Sequence, residues 1–133
     1  MSAARVLVVD DQSDVVLYLS SLLEDNGFEV KSANDAPSAM RVLEEYLPDL
    51  ILIDVLLPGK SGVQLMSTLR KDPRYGHIPL VVVTGNDQIL ESDCQVSMGT
   101  NLGIRGPEGV LGKPVQPDTL LAVARHLTLD RGV

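Results

Sequence analysis

The chain has 133 residues, a length that suits one domain with one hydrophobic core. Hydrophobic residues make up 44% of the sequence, which excludes a disordered tail because enough apolar surface is present to be buried. The formal net charge is −7 and no run of Lys or Arg stands out, so direct binding of nucleic acid, which needs clustered cations, is not expected.

Cysteine content and apolar segments indicate the compartment. The single cysteine, Cys94, cannot form an internal disulfide, which fits a reducing environment. The N-terminus has no long apolar signal segment, and no apolar run approaches the length that crosses a membrane. We therefore expect a soluble cytoplasmic protein, with residues 1–133 forming a single domain and no output domain after it.

The first elements are a strand, a helix and a second strand. Residues 6–9 form a short apolar run that predicts a buried strand. Ser13 or Asp14 can cap the following helix, which is expected to end at Asn26 and Gly27, where Gly27 suits a left-handed cap. Residues 28–32 alternate only partly and predict a weaker strand.

The next segment predicts a helix and then a strand that is buried on both faces. The helix opens at Asp35, tolerates Pro37 in its first turn and ends at Pro48. Residues 50–54 are apolar without alternation until Asp54. Because a charge is costly inside a core, Asp54 is expected where the strand leaves the core, at its carboxyl end. The apolar stripe of the helix is predicted to be Ala39, Met40, Leu43 and Leu47.

The same alternation continues in the second half of the chain. A third helix is predicted to end near Lys71, and residues 79–84 predict a fourth buried strand from their β-branched content. A fourth helix is predicted over 87–98. Residues 99–109 are rich in Gly and polar side chains, which indicates a loop.

The last predicted elements are a fifth strand and a fifth helix. Val110 and Leu111 predict a short fifth strand, and a final helix is expected to begin at Asp118 or Thr119. Five strands alternating with five helices favour an α/β fold, a doubly wound parallel sheet with helices on both faces. The flavodoxin-like strand order 2-1-3-4-5 is one common solution for five strands.

Polar side chains follow four of the five predicted strands. Alone, each is compatible with a cap, a turn or solvated surface. The carboxyl ends of parallel strands lie on the same side of a sheet, so five such residues at corresponding strand ends indicate a site. They are Asp10 and Asp11 after the first strand, Asp54 after the third, Thr84 after the fourth and Lys113 after the fifth.

The charges of these residues suggest phosphoryl transfer. Three neighbouring carboxylates repel one another unless a cation compensates them, and Mg²⁺ prefers oxygen ligands. The carboxylate of Asp54 can attack phosphorus as a nucleophile to give an acyl phosphate. Lys113 would then pair with one phosphate oxygen, and Thr84 would donate a hydrogen bond to another.

The pattern resembles the receiver domain of the two-component response regulator family, the CheY-like proteins. The resemblance covers residues 5–129, and the motif residues occur in the family's order on the expected elements. It rests on Val-Val-Asp10-Asp11, Asp54-Val-Leu-Leu-Pro58, Gly62, Thr84-Gly85 and Lys113-Pro114.

The resemblance implies a role for each residue around the phosphoryl group. Asp54 would be the phosphoacceptor and one of the metal ligands. Asp11 would bind Mg²⁺ directly, Asp10 largely through water, and the backbone carbonyl of Leu56 would complete the protein's share of the metal shell.

It also implies partners and a switch. A histidine kinase or phosphotransfer protein would donate the phosphoryl group, with Thr84 as the switch hydroxyl and Lys113 as the phosphate-pairing lysine. A downstream protein would bind the face of the fourth helix, fifth strand and fifth helix. The protein would assist its own Mg²⁺-dependent phosphorylation and dephosphorylation and would not otherwise be an enzyme. Neither nucleic acid nor a membrane is an expected partner.

The sequence departs from the family pattern in ways that keep alternatives open. Val110 stands where receivers carry Tyr or Phe, and the segment between Thr84 and Lys113 is longer than usual. These features motivate a degenerate receiver that binds partners without phosphorylation. A phosphatase of the haloacid-dehalogenase type is a third class, but such enzymes carry a second Asp where this chain has Leu56.

Overall fold

A parallel sheet occupies the centre of the computed structural model, which describes residues 4–54, 62–84, 108–112 and 115–129. Five strands lie within these residues, in the order β2-β1-β3-β4-β5. This order confirms the flavodoxin-like prediction. The strands are β1 (Arg5–Val9), β2 (Glu29–Ala33), β3 (Leu50–Asp54), β4 (Leu80–Thr84) and β5 (Gly109–Gly112).

Helices connect the strands and cover the sheet. The described part of the chain contains four helices: α1 (Ser13–Asp25), α2 (Ala36–Glu45), α3 (Gly62–Lys71) and α4 (Pro117–Leu129). The last of these, α4, is the helix that the sequence predicts as the fifth. The fourth predicted helix, 87–98, lies outside the described residues, as does most of the predicted loop over 99–109.

Two hydrophobic clusters, one on each face of the sheet, form the core. Alternate residues of each inner strand point to opposite faces, so Ile51 and Ile53 join one cluster while Leu50 and Leu52 join the other. The helices α2 and α3 cover the first cluster, and α1 and α4 cover the second. Every residue of β3 is buried, as its unbroken apolar run predicts.

Two local predictions about helix ends are confirmed. Gly27 adopts a φ of 92° after α1, the left-handed conformation that glycine tolerates best. Asp35 caps α2 by accepting a hydrogen bond of 2.8 Å from the Ser38 N–H, and this bond lowers the pKa of the Asp35 carboxyl.

Other predicted boundaries are wrong. The N-cap residue of α1 is Gln12 rather than Ser13 or Asp14, and its side chain makes no capping hydrogen bond. Leu47 lies beyond the end of α2 and is 48% exposed, so it does not belong to the buried stripe.

Differences also occur near the C-terminal end. Gly109, placed in a loop by its composition, is the first residue of β5 and pairs with Val81 of β4. Pro117 begins α4, ahead of the predicted Asp118 or Thr119, because proline is well suited to a first helical position. Among the helices described, none combines the length and apolar character needed to cross a membrane.

Candidate functional site

Three carboxylates meet at the carboxyl end of the sheet. Asp10, Asp11 and Asp54 each offer one oxygen atom, and these atoms lie within 4.8 Å of one another. The residue exposures of Asp10 and Asp54 are only 2% and 5%, whereas Asp11 is exposed to solvent. The structure thus brings together three of the residues that the sequence places at strand ends.

Strand register puts two of these residues at the same level. Val9 of β1 pairs with Ile53 of β3, so Asp10 and Asp54 are the next residues along two neighbouring parallel strands. The backbone N–H of Asp10 donates to the Ala33 carbonyl at 3.0 Å, which continues the β1–β2 pairing for one residue beyond β1.

The side chain of Asp10 also shapes the turn into α1. Its Oδ1 accepts a hydrogen bond of 2.9 Å from the backbone N–H of Gln12. This bond fixes the chain direction between β1 and α1, where Asp11 lies. The Asp10 carboxylate thus shapes the entry to α1 at its N-cap residue, Gln12, and does not bond a first-turn N–H as a cap at Ser13 or Asp14 would.

Close packing of α3 against β3 explains the glycine in the motif. A Cβ built on Gly62 would overlap the backbone carbonyl oxygen of Asp54 and lie 2.9 Å from Ile53 Cγ2. Any larger residue would push the first turn of α3 away from the strand end. Gly62 therefore allows the helix to begin directly against the residue that carries the central carboxylate.

The remaining predicted site residues are described only in part. Thr84 ends β4, one residue beyond Val83, which pairs with Asp54, so its backbone reaches the same edge of the sheet. Thr84 also pairs with Gly112, the residue before Lys113. The Thr84 side chain, Leu56 and Lys113 lie outside the described residues, and their roles stay predictions.

The donor set fits a hard divalent cation. Carboxylate oxygens are the ligands that Mg²⁺ prefers, and the ion commonly binds one or two protein carboxylates and keeps several waters. A cation also offsets the repulsion among three negative charges at this distance. The group formed by Asp10, Asp11 and Asp54 has the chemistry of such a site.

One contact near this edge is missing from the sequence predictions. The hydroxyl of Tyr18, on α1, donates a hydrogen bond of 2.9 Å to the backbone carbonyl of Val115. Tyr18 is 42% exposed and lies outside the buried stripe of its helix, so hydrophobic periodicity gives no sign of it. The contact joins α1 to the segment between β5 and α4.

Comparison with known proteins gives consistent relatives. The model of the response regulator receiver domain family matches residues 6–125. Response regulator PleD of Caulobacter vibrioides is 36% identical over 132 residues, which span 95% of this chain and 26% of PleD. The phosphate regulon transcriptional regulatory protein PhoB of Escherichia coli is 36% identical, over 90% of this chain and 49% of its own length. This chain therefore spans half or less of these two relatives.

Other similar proteins are nearly the same length as this chain. Protein PilH of Pseudomonas aeruginosa is 35% identical over 89% of this chain and 92% of its own. The solved structure of chemotaxis response regulator CheY4 of Vibrio cholerae has a TM-score of 0.81 at 27% identity, covering 95% of this chain and 99% of CheY4. A response regulator structure from Chloroflexus aurantiacus has a TM-score of 0.83 at 26% identity, covering 96% and 99%. The chain belongs to the response regulator receiver domain family.

Proposed function

We propose that this receiver accepts a phosphoryl group on Asp54 from a histidine kinase or phosphotransfer protein and thereby changes its binding to a downstream partner. The observation that carries the proposal is the group of three carboxylate oxygens within 4.8 Å at the carboxyl end of the sheet. An acidic group alone is common on protein surfaces. This chain belongs to the receiver family, and its Asp54 is buried at the end of the central strand. In that setting, the group of carboxylates is the expected phosphorylation site.

The proposed reaction is a displacement at phosphorus. An oxygen of the Asp54 carboxylate attacks the phosphoryl group of a phosphohistidine, forming a P–O bond as the P–N bond breaks. The electron pair of the broken bond stays on the imidazole nitrogen, which takes up a proton. Mg²⁺, held by Asp10, Asp11, Asp54 and the Leu56 carbonyl, would supply positive charge opposite the phosphoryl oxygens.

The residues at the ends of β4 and β5 would transmit the signal. Thr84 would donate a hydrogen bond to the acyl phosphate, and Lys113 would pair with a second phosphoryl oxygen. Because Thr84 and Gly112 are paired neighbours, movement at one strand end would reach the other. The downstream partner would bind the face formed by the predicted fourth helix, β5 and α4.

The proposed role of the receiver is signalling and not turnover of an external substrate. The receiver would assist its own Mg²⁺-dependent phosphorylation and dephosphorylation, with residues 1–133 acting as one domain in the cytoplasm. The net charge of −7 supports protein partners over direct contact with nucleic acid or an anionic membrane surface.

Intact-protein mass spectrometry tests the proposal. We expect wild type, incubated with a small phosphodonor and Mg²⁺, to gain one phosphoryl group, and Asp54→Asn to gain none. Asp49→Asn is the matched control, since Asp49 lies at the other end of β3, where its carboxylate accepts the Arg5 N–H at 2.9 Å. It should phosphorylate as wild type does. An adduct that persists in Asp54→Asn contradicts the assignment.

A second candidate is a binding module that works without phosphorylation. It is motivated by Val110, which is 49% exposed on β5 where receivers carry an aromatic residue. This candidate predicts no adduct with several donors, no response to beryllofluoride, and partner binding that Asp54→Asn leaves unchanged. The retained carboxylate group favours the phosphorylation-dependent reading.

A further inference from the structure

The hydroxyl of Tyr18 holds a point on the chain shortly after Lys113. Its oxygen lies 2.9 Å from the Val115 carbonyl oxygen, and the two residues are 97 positions apart in sequence. The Val115 side chain is 6% exposed and packs in the cluster between the sheet, α1 and α4. Val115 is therefore held both by its buried side chain and by its backbone carbonyl.

The chain is also held just before Lys113. Gly112 ends β5 and pairs with Thr84 of β4. In sequence, only Lys113 and Pro114 lie between Gly112 and Val115. A short connection whose two ends are fixed has little backbone freedom, so little further backbone entropy is lost when the connection is held in one arrangement for binding.

Tyr18 belongs to the helix that follows the acidic turn. The helix α1 begins at Ser13, directly after Asp10, Asp11 and Gln12, and Asp10 fixes its entry through the Gln12 N–H. The Tyr18–Val115 bond thus joins the helix that follows two carboxylates of the site to the segment that carries the lysine.

We propose that Tyr18 is a positioning residue for phosphorylation: its hydroxyl bond to the Val115 carbonyl holds the β5–α4 connection so that Lys113 meets the phosphoryl group at Asp54. This inference rests on the proposed function. Tyr18 acts through the connection and takes no part in the chemistry. Because the phenol is partly exposed, water competes for the bond, and its loss should weaken the reaction without abolishing it.

The other tyrosines of the chain are matched controls. All three tyrosines in the sequence donate the hydroxyl to a backbone carbonyl. Tyr46 donates to Glu29 at 3.1 Å and Tyr75 to Leu43 at 3.3 Å, both away from the β5–α4 connection. Substituting each with Phe removes one hydroxyl and one such bond, so a general loss of stability would affect all three variants.

The experiment compares phosphorylation rates of Tyr18→Phe, Tyr46→Phe and Tyr75→Phe with wild type, using a small phosphodonor and Mg²⁺. We expect Tyr18→Phe alone to slow the reaction, by about threefold to tenfold, the range that loss of one neutral hydrogen bond produces. Affinity for beryllofluoride should fall by a similar factor, while affinity for Mg²⁺ alone should match wild type. Equal rates in the three variants would overturn the inference.

A double variant tests whether Tyr18 acts through Lys113. In a Lys113→Met background the lysine no longer contacts phosphate, so adding Tyr18→Phe should cause no further loss of rate. A further loss of the same size would show that Tyr18 acts elsewhere, which also overturns the inference. Failure of the proposed function looks different, because wild type itself would then form no adduct on Asp54.

Discussion

The two ends of the parallel sheet arrange their charges in opposite ways. At the amino end, acids meet bases: Arg5 pairs with Glu29 at 3.5 Å, and Arg70 pairs with Glu108 at 2.6 Å. At the carboxyl end, three carboxylates gather within 4.8 Å of one another. Among the side chains that the structure describes, charges of opposite sign therefore meet at one end, and charges of like sign meet at the other.

The pair at the amino end of β4 and β5 combines a buried Arg70 side chain with a partly exposed Glu108, and it has several further bonds. The Arg70 side chain is 3% exposed and donates to the Ile78 carbonyl at 3.0 Å as well as to Glu108. Glu108 Oε1 also accepts the Leu80 N–H at 2.7 Å. These bonds join the end of α3, the start of β4 and the residue before β5.

The different charge arrangements suit the amino end of the sheet to stability and the carboxyl end to chemistry. A buried ion pair with its hydrogen bonds satisfied fixes one arrangement of the chain, whereas like charges held together weaken the fold unless a cation joins them. Proteins commonly accept such local cost where a site needs it. We infer that the amino end holds the strands in place and that the carboxyl end keeps charge available for Mg²⁺ and a phosphoryl group.

The largest effect is expected at the amino end. Arg70→Met should lower the free energy of unfolding by about 3 kcal/mol, because it leaves Glu108 partly buried without its cation. Denaturant unfolding followed by circular dichroism measures this loss. Arg74→Met is the matched control: Arg74 also bonds an acid, Asp72 at 2.9 Å, but its side chain is 65% exposed. A similar loss in both variants would contradict a special role for the buried pair.

The opposite sign is expected at the carboxyl end. Without divalent ions, Asp54→Asn should raise the free energy of unfolding by about 1–2 kcal/mol, since it removes one of three like charges. Glu108→Gln, the same carboxylate-to-amide change at the other end, should lower it. Both variants replace a carboxylate by an amide, one among like charges and the other in an ion pair.

Added Mg²⁺ sharpens this test. The ion should stabilise wild type by mass action and narrow its difference from Asp54→Asn, because binding to the folded state alone shifts the unfolding equilibrium. Its removal with a chelator should restore the difference. If Asp54→Asn destabilises the metal-free protein as Glu108→Gln does, the repulsion assigned to the carboxyl end is wrong.

The sequence predicts the arrangement at the carboxyl end of the sheet but not the one at the amino end. The alternation of apolar runs and helical stripes predicts a doubly wound parallel sheet, for which the observed strand order is one common solution. Polar residues at strand ends predict that Asp10 and Asp54 meet, because parallel strands align their carboxyl ends. Both inferences use local pattern and a general rule of topology. The carboxylate group follows from where each strand ends in the sequence.

The pair at the amino end has no such signal. Arg70 and Glu108 are 38 positions apart, and neither stands in a spacing that predicts a partner. Tyr18 and Val115 are farther apart still, and one of the two atoms that meet is a backbone carbonyl, which every residue has. Gln12 carries no capping signal in the sequence, because its side chain makes no capping hydrogen bond and the turn before α1 is shaped by the Asp10 side chain. Contacts of this kind depend on how the helices and connections pack against the sheet, which local sequence patterns do not encode.

An effect confined to alkaline pH is expected at Tyr46, near the amino ends of β1 and β2. Burial, and then the nearby charge of Glu29, raise the pKa of Tyr46 from 10.0 to about 12. Since the folded state then binds the phenolic proton more tightly than the unfolded state, this stability is complete below pH 10 and is lost as the pH rises to about 12.

Tyr46→Phe should therefore respond less to alkali than wild type. At neutral pH the two proteins differ by the hydrogen bond to the Glu29 carbonyl. The Phe ring keeps the packing of Arg5 and Lys31, which lie 5.5 and 5.8 Å from the ring centre. Between the two pKa values the advantage of wild type should shrink, measured as the difference in denaturant midpoint at each pH. A constant difference would mean that Tyr46 ionises equally easily in both states. The hydrogen bond to Glu29 would then contribute the same stability at every pH, and the pKa shift that burial and Glu29 are expected to cause would be absent.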